Sequence, residues 1–453
     1  MLCLVAQKGA REHYVVARSL HQRGLLAGLV TDWYAFGASQ SRKQKPFQGV
    51  SLSAGQRLIS RFSVSAFQRF GRPGSAALAA RAEGIPDELV HSFPLRSLLW
   101  KWRVRQLAKK GRLHEGYIRT DSAFATAVAQ LELPPHEVFF GYSYGSLEML
   151  EAEKQRGVVT ILDQIDPGAA EFRLVAEEMK RHPEIAGPPL EFPAANCDRN
   201  RREWELADII IVNSEWTREG IVAEGADPGK IEILPLAYEV DGEKQPQIKA
   251  ESRKQRTGSG ELKTKIKNRF QVSDFRVSAL SPLRVLWLGQ VNVRKGIHYL
   301  MEAARLLERE KVQFDVVGPI GILPTAVATA PRNMTFHGSV SRDRAAEWYR
   351  QADVFVLPTL SDGFALTQLE ALAHGVPVIS TPNCGRVVES GKTGFVVPPR
   401  DSPALAEAIL RFIRNPDLAQ RMAPACRETV IPYSIGNFGR RLITIILKQA
   451  KGA

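Results

Sequence analysis

Two short apolar runs, Val354–Leu357 and Val376–Ser380, flank a polar turn and a brief helical segment. This stretch restricts the fold more than any other. An apolar run closed by Pro358 reads as a buried strand. Thr359 to Gly363 reads as a turn, and the spacing predicts a helix over Ala365–Ala373, stopped by Gly375 and Pro377. Strand, loop, helix and strand in that order form a crossover of an α/β protein.

The chemistry of the crossover is specific. The first N–H groups of a helix have no partner within it, and the helix dipole adds partial positive charge there. The backbone of Phe364, Ala365, Leu366 and Thr367 is therefore suited to hold an anion such as a diphosphate. Gly363 allows close approach. Asp362 precedes the helix, and Glu370 follows eight positions on. Carboxylates repel phosphate and accept hydrogen bonds from hydroxyls, such as those of a sugar and a ribose. An anion cradle flanked by hydroxyl acceptors suits a sugar nucleotide.

Asp362-Gly363-Phe364, Glu370-Ala371 and Gly375-Val376-Pro377-Val378-Ile379 together resemble the signature of family-4 retaining glycosyltransferases, also called glycosyl transferases group 1. Here Asp362 stands where that family has Glu. The reading without the resemblance is an ordinary crossover. A second stretch, Gly289-Gln290-Val291-Asn292-Val293-Arg294-Lys295-Gly296, is similar to the family's Gly-Arg and Lys-Gly pair, with Gln290 in place of the Arg. The resemblance implies that Lys295 neutralises the leaving diphosphate, with Arg294 supplying the second cation. It places Glu370 on the ribose and Asp362 on the donor sugar. It puts Gly289, Gln290, Gly318 and Val340 at loop ends near the nucleotide, and Gly9 opposite the donor phosphates. Tyr142 falls near the place of the family's acceptor-side histidine. The resemblance implies the GT-B fold: two Rossmann-like domains facing across a cleft, with a final helix returning to the first.

The chain has 453 residues, enough for two domains of ordinary size. Its four cysteines, Cys3, Cys197, Cys384 and Cys426, show no CxxC spacing. That argues against a cysteine zinc site or a disulfide framework and fits a reducing cytoplasm. No run approaches the roughly 20 apolar residues of a membrane span.

The net charge of +13 is unevenly spread. Residues 1–120 carry 20 Lys and Arg against 6 Asp and Glu, whereas residues 121–240 carry 10 against 23. A basic first quarter attracts anionic partners, or is a solvated surface. Gln56–Phe70 and Leu98–Gly111 set aromatic and aliphatic residues at helical spacing among basic ones. Such helices lie at a membrane interface or cover a domain core. No helix-turn-helix spacing or interleaved aromatic platform supports nucleic-acid binding.

The organisation expected is residues 1–240 as an acceptor-side domain, 241–282 as a basic insert, 283–434 as a nucleotide-sugar domain, and 435–453 as a returning helix. The activity expected is retaining transfer of a sugar from a nucleotide sugar to a hydroxyl acceptor, lipid-linked or polysaccharide. No metal or cofactor is expected. The partners expected are the donor, the acceptor and an anionic membrane surface, at the cytoplasmic face. The alternative is a non-catalytic regulator that binds sugar nucleotides.

Overall fold

A computed structural model describes residues 1–9, 14–34, 84–187, 194–239 and 281–450. The expectations for the helix Gln56–Phe70 and for most of the 241–282 insert fall outside them.

The first half of the described chain builds a seven-stranded sheet. Its strands are β1 (Cys3–Gln7), β2 (Leu26–Thr31), β3 (Val90–Ser92), β4 (Val138–Tyr142), β5 (Val159–Gln164), β6 (Ile209–Val212) and β7 (Ile231–Ile233). The order is β3-β2-β1-β4-β5-β6-β7, and every pairing is parallel. Parallel strands carry crossover helices on both faces, so both faces must be apolar. In β1, Cys3 and Val5 enter one core, and Leu4 and Ala6 enter the other. Four successive apolar residues are what a strand buried on both sides requires.

The second sheet comprises β8 (Leu283–Leu288), β9 (Val312–Val317), β10 (Met334–Gly338), β11 (Val354–Leu357), β12 (Val378–Ser380) and β13 (Gly394–Val396). Its order is β10-β9-β8-β11-β12-β13, again wholly parallel. In each sheet the order reverses at one place, between β1 and β4 in the first and between β8 and β11 in the second. Loops leaving the carboxyl ends of strands on either side of such a reversal diverge and open a crevice. The stretch singled out in the sequence, β11 to β12, starts on one side of the second crevice.

The last helix, Ile435–Ala450, returns to the first domain. Phe438, Leu442 and Ile446 complete the core around β1 and the helix Val15–His21. Arg23 donates to Gly436 O at 3.0 Å, and Lys448 pairs with Glu232 at 2.8 Å. Among the described residues no helix is long and apolar enough to cross a membrane.

Candidate functional site

After β8 the chain makes one 3-10 turn, Val293–Lys295, whose last amide is capped by Asn292 Oδ1 at 3.0 Å. Gly296 follows at φ 72°, and the helix Ile297–Leu306 begins. A Cβ on Gly296 would lie 1.8 Å from Pro358 O. Glycine thus lets this turn press against the loop that leaves β11. Leu360 N and Thr359 Oγ both donate to Arg294 O, at 2.9 and 3.1 Å. The two loops are one unit.

That unit brings together three of the residues expected at the site. The Lys295 ammonium contacts the Asp362 carboxylate directly. Arg294 Nη1 donates to Ser361 O at 3.1 Å and lies 3.8 Å from Asp362 Oδ1. Burial, then the Arg294 guanidinium, pulls the Lys295 ammonium down to about 7. Contact with Asp362 works in the opposite direction. Glu370 stands apart, one turn into the helix Leu366–Ala373, and accepts from Tyr349 OH at 2.7 Å. The Tyr349 ring stacks on His374 at 5.3 Å.

Three features differ from the sequence reading. Close approach at Gly363 is made by the first domain: a Cβ there would be 2.1 Å from Ile165 O and 2.8 Å from Asn213 Nδ2. The helix begins at Leu366, and Ala365 N donates to Cys384 O at 3.0 Å, so its amide is already used. The helix amides of Leu366 and Thr367 have no acceptor within the first turn, and both residues are half-buried. Phe364 is buried, with its ring 6.0 Å from that of Tyr433 and against Gly385. The third difference concerns Tyr142. It is the last residue of β4 and sits in the core beside Phe140, so it does not face the crevice.

The remaining expected positions lie as follows. Gly318 N donates to Gly338 O at 2.8 Å, and a Cβ on Gly318 would be 1.7 Å from Gly289 O, so these strand ends are packed tightly together. Gln290 is exposed and Val340 half-buried. Gly9, at φ 85°, donates its N–H to Asp32 Oδ1 at 2.8 Å.

Gly9 lines a cavity of about 660 Å³ in the first domain, over the carboxyl ends of β1, β2, β4 and β5. Lys101, Arg105, Tyr117, Tyr144 and Asp166 are among its walls. Tyr144, at φ 70°, lines this cavity, whereas Tyr142 does not. Its OH donates to Asp166 Oδ1 at 2.8 Å, and its N–H donates to Glu203 Oε2 at 2.7 Å. Asp166 belongs to the 163–168 segment whose position at a strand end marks it in the sequence as cleft-lining.

Glu171, next to the cavity-lining Phe172, ties the first domain to the loops of the second. It accepts from Ser361 Oγ at 2.6 Å and lies 3.5 Å from Arg294. Trp216 Nε1 donates to the same Ser361 hydroxyl at 2.9 Å. Burial raises the Glu171 carboxyl, Arg294 opposes this, and the charge of Asp166 adds to it. Neither Glu171 nor Ser361 carries a sequence signal, since 190 residues separate the partners.

Residues 282–415 match the family described as Glycosyl transferases group 1. The D-inositol 3-phosphate glycosyltransferase of Streptomyces scabiei (strain 87.22) is 30% identical over 259 residues, which is 51% of this chain and 52% of that protein. The putative colanic acid biosynthesis glycosyltransferase WcaL of Salmonella typhimurium is 30% identical over 166 residues, 33% of this chain and 41% of that one. For D-inositol 3-phosphate glycosyltransferases of this kind, the match spans about half the length of the relative. Among solved structures, sucrose-phosphate synthase from Thermosynechococcus elongatus superposes with a TM-score of 0.58 at 16% identity, with both chains covered completely. Anabaena Alr3699/HepE in complex with UDP and glucose gives 0.54 at 12% identity, over 99% of this chain and 100% of that one.

Proposed function

We propose that this chain, whose residues 282–415 match glycosyl transferases group 1 and whose fold is that of GT-B glycosyltransferases, is a retaining glycosyltransferase that uses a nucleotide sugar. The observation that carries the reading is the joined pair of loops holding Lys295, Arg294 and Asp362, tied to the first domain through Glu171. The donor diphosphate lies against Lys295, Arg294 and the amides of Leu366 and Thr367. Glu370, steadied by Tyr349, accepts from the ribose hydroxyls, and Asp362 accepts from a hydroxyl of the donor sugar. Lys295 exchanges its Asp362 contact for the diphosphate, which frees the carboxylate for the sugar.

The acceptor occupies the cavity walled by Tyr144 and Asp166. Its hydroxyl attacks the anomeric carbon from the side on which the nucleotide leaves. The bond from that carbon to the diphosphate oxygen breaks as the new glycosidic bond forms. The acceptor's proton passes to an oxygen of the departing diphosphate. Two side-chain cations supply the charge that a divalent ion supplies elsewhere, so the step needs no metal. The test is incubation with UDP-, GDP- and ADP-sugars in EDTA without acceptor. One of them should be hydrolysed slowly, with the released sugar keeping its anomeric configuration. Saturable binding without turnover, with acceptor extracts also added, would favour the non-catalytic regulator instead.

A lipid-borne acceptor is favoured by the helix Pro94–Ala108. Leu95, Leu99 and Trp102 are 54, 46 and 57% exposed, while Trp100 is buried and anchors the helix. Arg103, Lys109 and Lys110 lie beside them, and Lys101 and Arg105 of the same helix wall the cavity. An apolar, basic surface at the mouth of an acceptor cavity suits an anionic bilayer. Flotation with vesicles of anionic lipid at low salt should carry the protein upward, and Leu99→Ser/Trp102→Ser should remain at the bottom. Equal flotation of both proteins would remove the membrane from the proposal.

A further inference from the structure

Away from the donor loops, the two domains share another polar contact. The helix Ala169–Arg181 of the first domain runs towards the start of helix Ile297–Leu306 of the second. Glu178 and His182 are four residues apart and so lie on one side of the first helix. His298 meets them from the second domain. Its Nε2 is 2.9 Å from Glu178 Oε1, and His182 Nε2 is 3.5 Å from the same oxygen. The three atoms all lie within 4.8 Å of one another. Glu178 is fully buried, His298 nearly so, and His182 half-exposed at the rim.

We propose that Glu178, His182 and His298 form a zinc site that ties the two domains together. Zinc takes imidazole nitrogen and carboxylate oxygen at about 2.0–2.2 Å in a tetrahedron, so its ligand atoms sit roughly 3.3 Å apart. The two spacings from Glu178 Oε1 straddle that value. Imidazole pairs favour zinc over calcium or magnesium, which prefer all-oxygen shells. Three protein ligands leave the fourth position for water at the half-exposed His182 edge.

The surroundings suit the assignment. A metal-bound histidine usually gives its other ring nitrogen to a carboxylate or carbonyl. His182 Nδ1 faces Glu184 Oε1 at 3.3 Å. The Glu178 carboxylate is held in place by Arg400 Nε, which donates to Oε2 at 2.9 Å, and by the Tyr299 hydroxyl on Oε1. The Arg400 charge opposes a cation. Glu177, 3.6 Å from its Nη2, and Glu184 offset it. The site draws on no cysteine, which is why cysteine spacing gives no hint of it.

Zinc bound in this way stabilises the joined domains, because ligands from both are needed. Cobalt(II), which reports tetrahedral coordination by its visible absorption, is the probe for the untagged, metal-free full chain. One equivalent should give that absorption and be displaced by zinc, and zinc should raise the thermal midpoint. His182→Ala, at the rim, should keep the midpoint seen in EDTA while losing both the absorption and the zinc effect. Glu184→Gln should weaken zinc binding about tenfold. No tetrahedral absorption, or an absorption unchanged in both His182→Ala and His298→Ala, overturns the proposal.

Discussion

Lys295→Ala should slow donor cleavage by about 10²–10³-fold, the usual loss when one aligned charge or donor is withdrawn from a developing anion. Two properties of the site concentrate the effect in this residue. The ammonium is largely buried beside Asp362, so water replaces it poorly. Arg294 is already committed to Ser361 O and shared with Glu171, so it cannot move over to compensate. The same lysine sets a pH dependence. Burial and Arg294 bring it to about 7 in the unliganded protein, whereas a diphosphate favours the charged form. Below about 7 the ammonium is already present and this lysine adds no pH dependence. Above it, binding takes up a proton and affinity for the nucleoside diphosphate falls as pH rises, by up to about tenfold per unit. Calorimetry in buffers of different ionisation enthalpy measures the proton uptake, which should vanish in Lys295→Ala. An unaltered uptake in that variant, or an unaltered cleavage rate, would contradict the assigned role.

Gly296→Ala should be severely damaging, costing more than about 3 kcal/mol of stability together with donor binding. The left-handed backbone alone costs about 1–2 kcal/mol for any residue with a Cβ. The rest arises because the Cβ would fall 1.8 Å from Pro358 O, forcing apart the two loops that hold Lys295 and Asp362. Gly338 provides the comparison. It has nearly the same φ, 71°, but nothing within 4 Å of its added Cβ. Gly338→Ala should therefore lose only the backbone part, about 1–2 kcal/mol. Thermal midpoints of the two variants separate strain from collision. Equal losses would mean that the contact with Pro358 is not what the glycine protects.

The local order of the second domain is legible in the sequence because each element carries its own signal. The run Val354–Leu357 is apolar throughout and buried throughout. Gly375 ends its helix at φ 78°, where a glycine is needed. The loops that assemble Lys295, Arg294 and Asp362 start from neighbouring strands, so local patterns suffice to nominate all three. Residues whose role depends on distant partners are silent. Nothing near Glu171 in the sequence announces its contacts with Ser361 and Arg294 of the other domain. Tyr349 gives no sign of reaching Glu370, which lies on another helix. The shift from Tyr142 to Tyr144 has a different cause. Gly141 continues β4, and it must be glycine because a side chain there would strike Ser146 Oγ at 2.3 Å. Gly363 shows the same ambiguity: a residue without a side chain marks close approach without saying whose atoms approach.

The return of helix Ile435–Ala450 to the first domain has a consequence for synthesis. A chain emerging from the ribosome presents β1 and the helix Val15–His21 well before Phe438, Leu442 and Ile446, which cover them and follow the second domain. The apolar face they seal stays unsheltered while the whole second domain is being made, the interval in which nascent chains are most prone to stick to one another. Completion of the amino-terminal core thus waits until the second domain has been made.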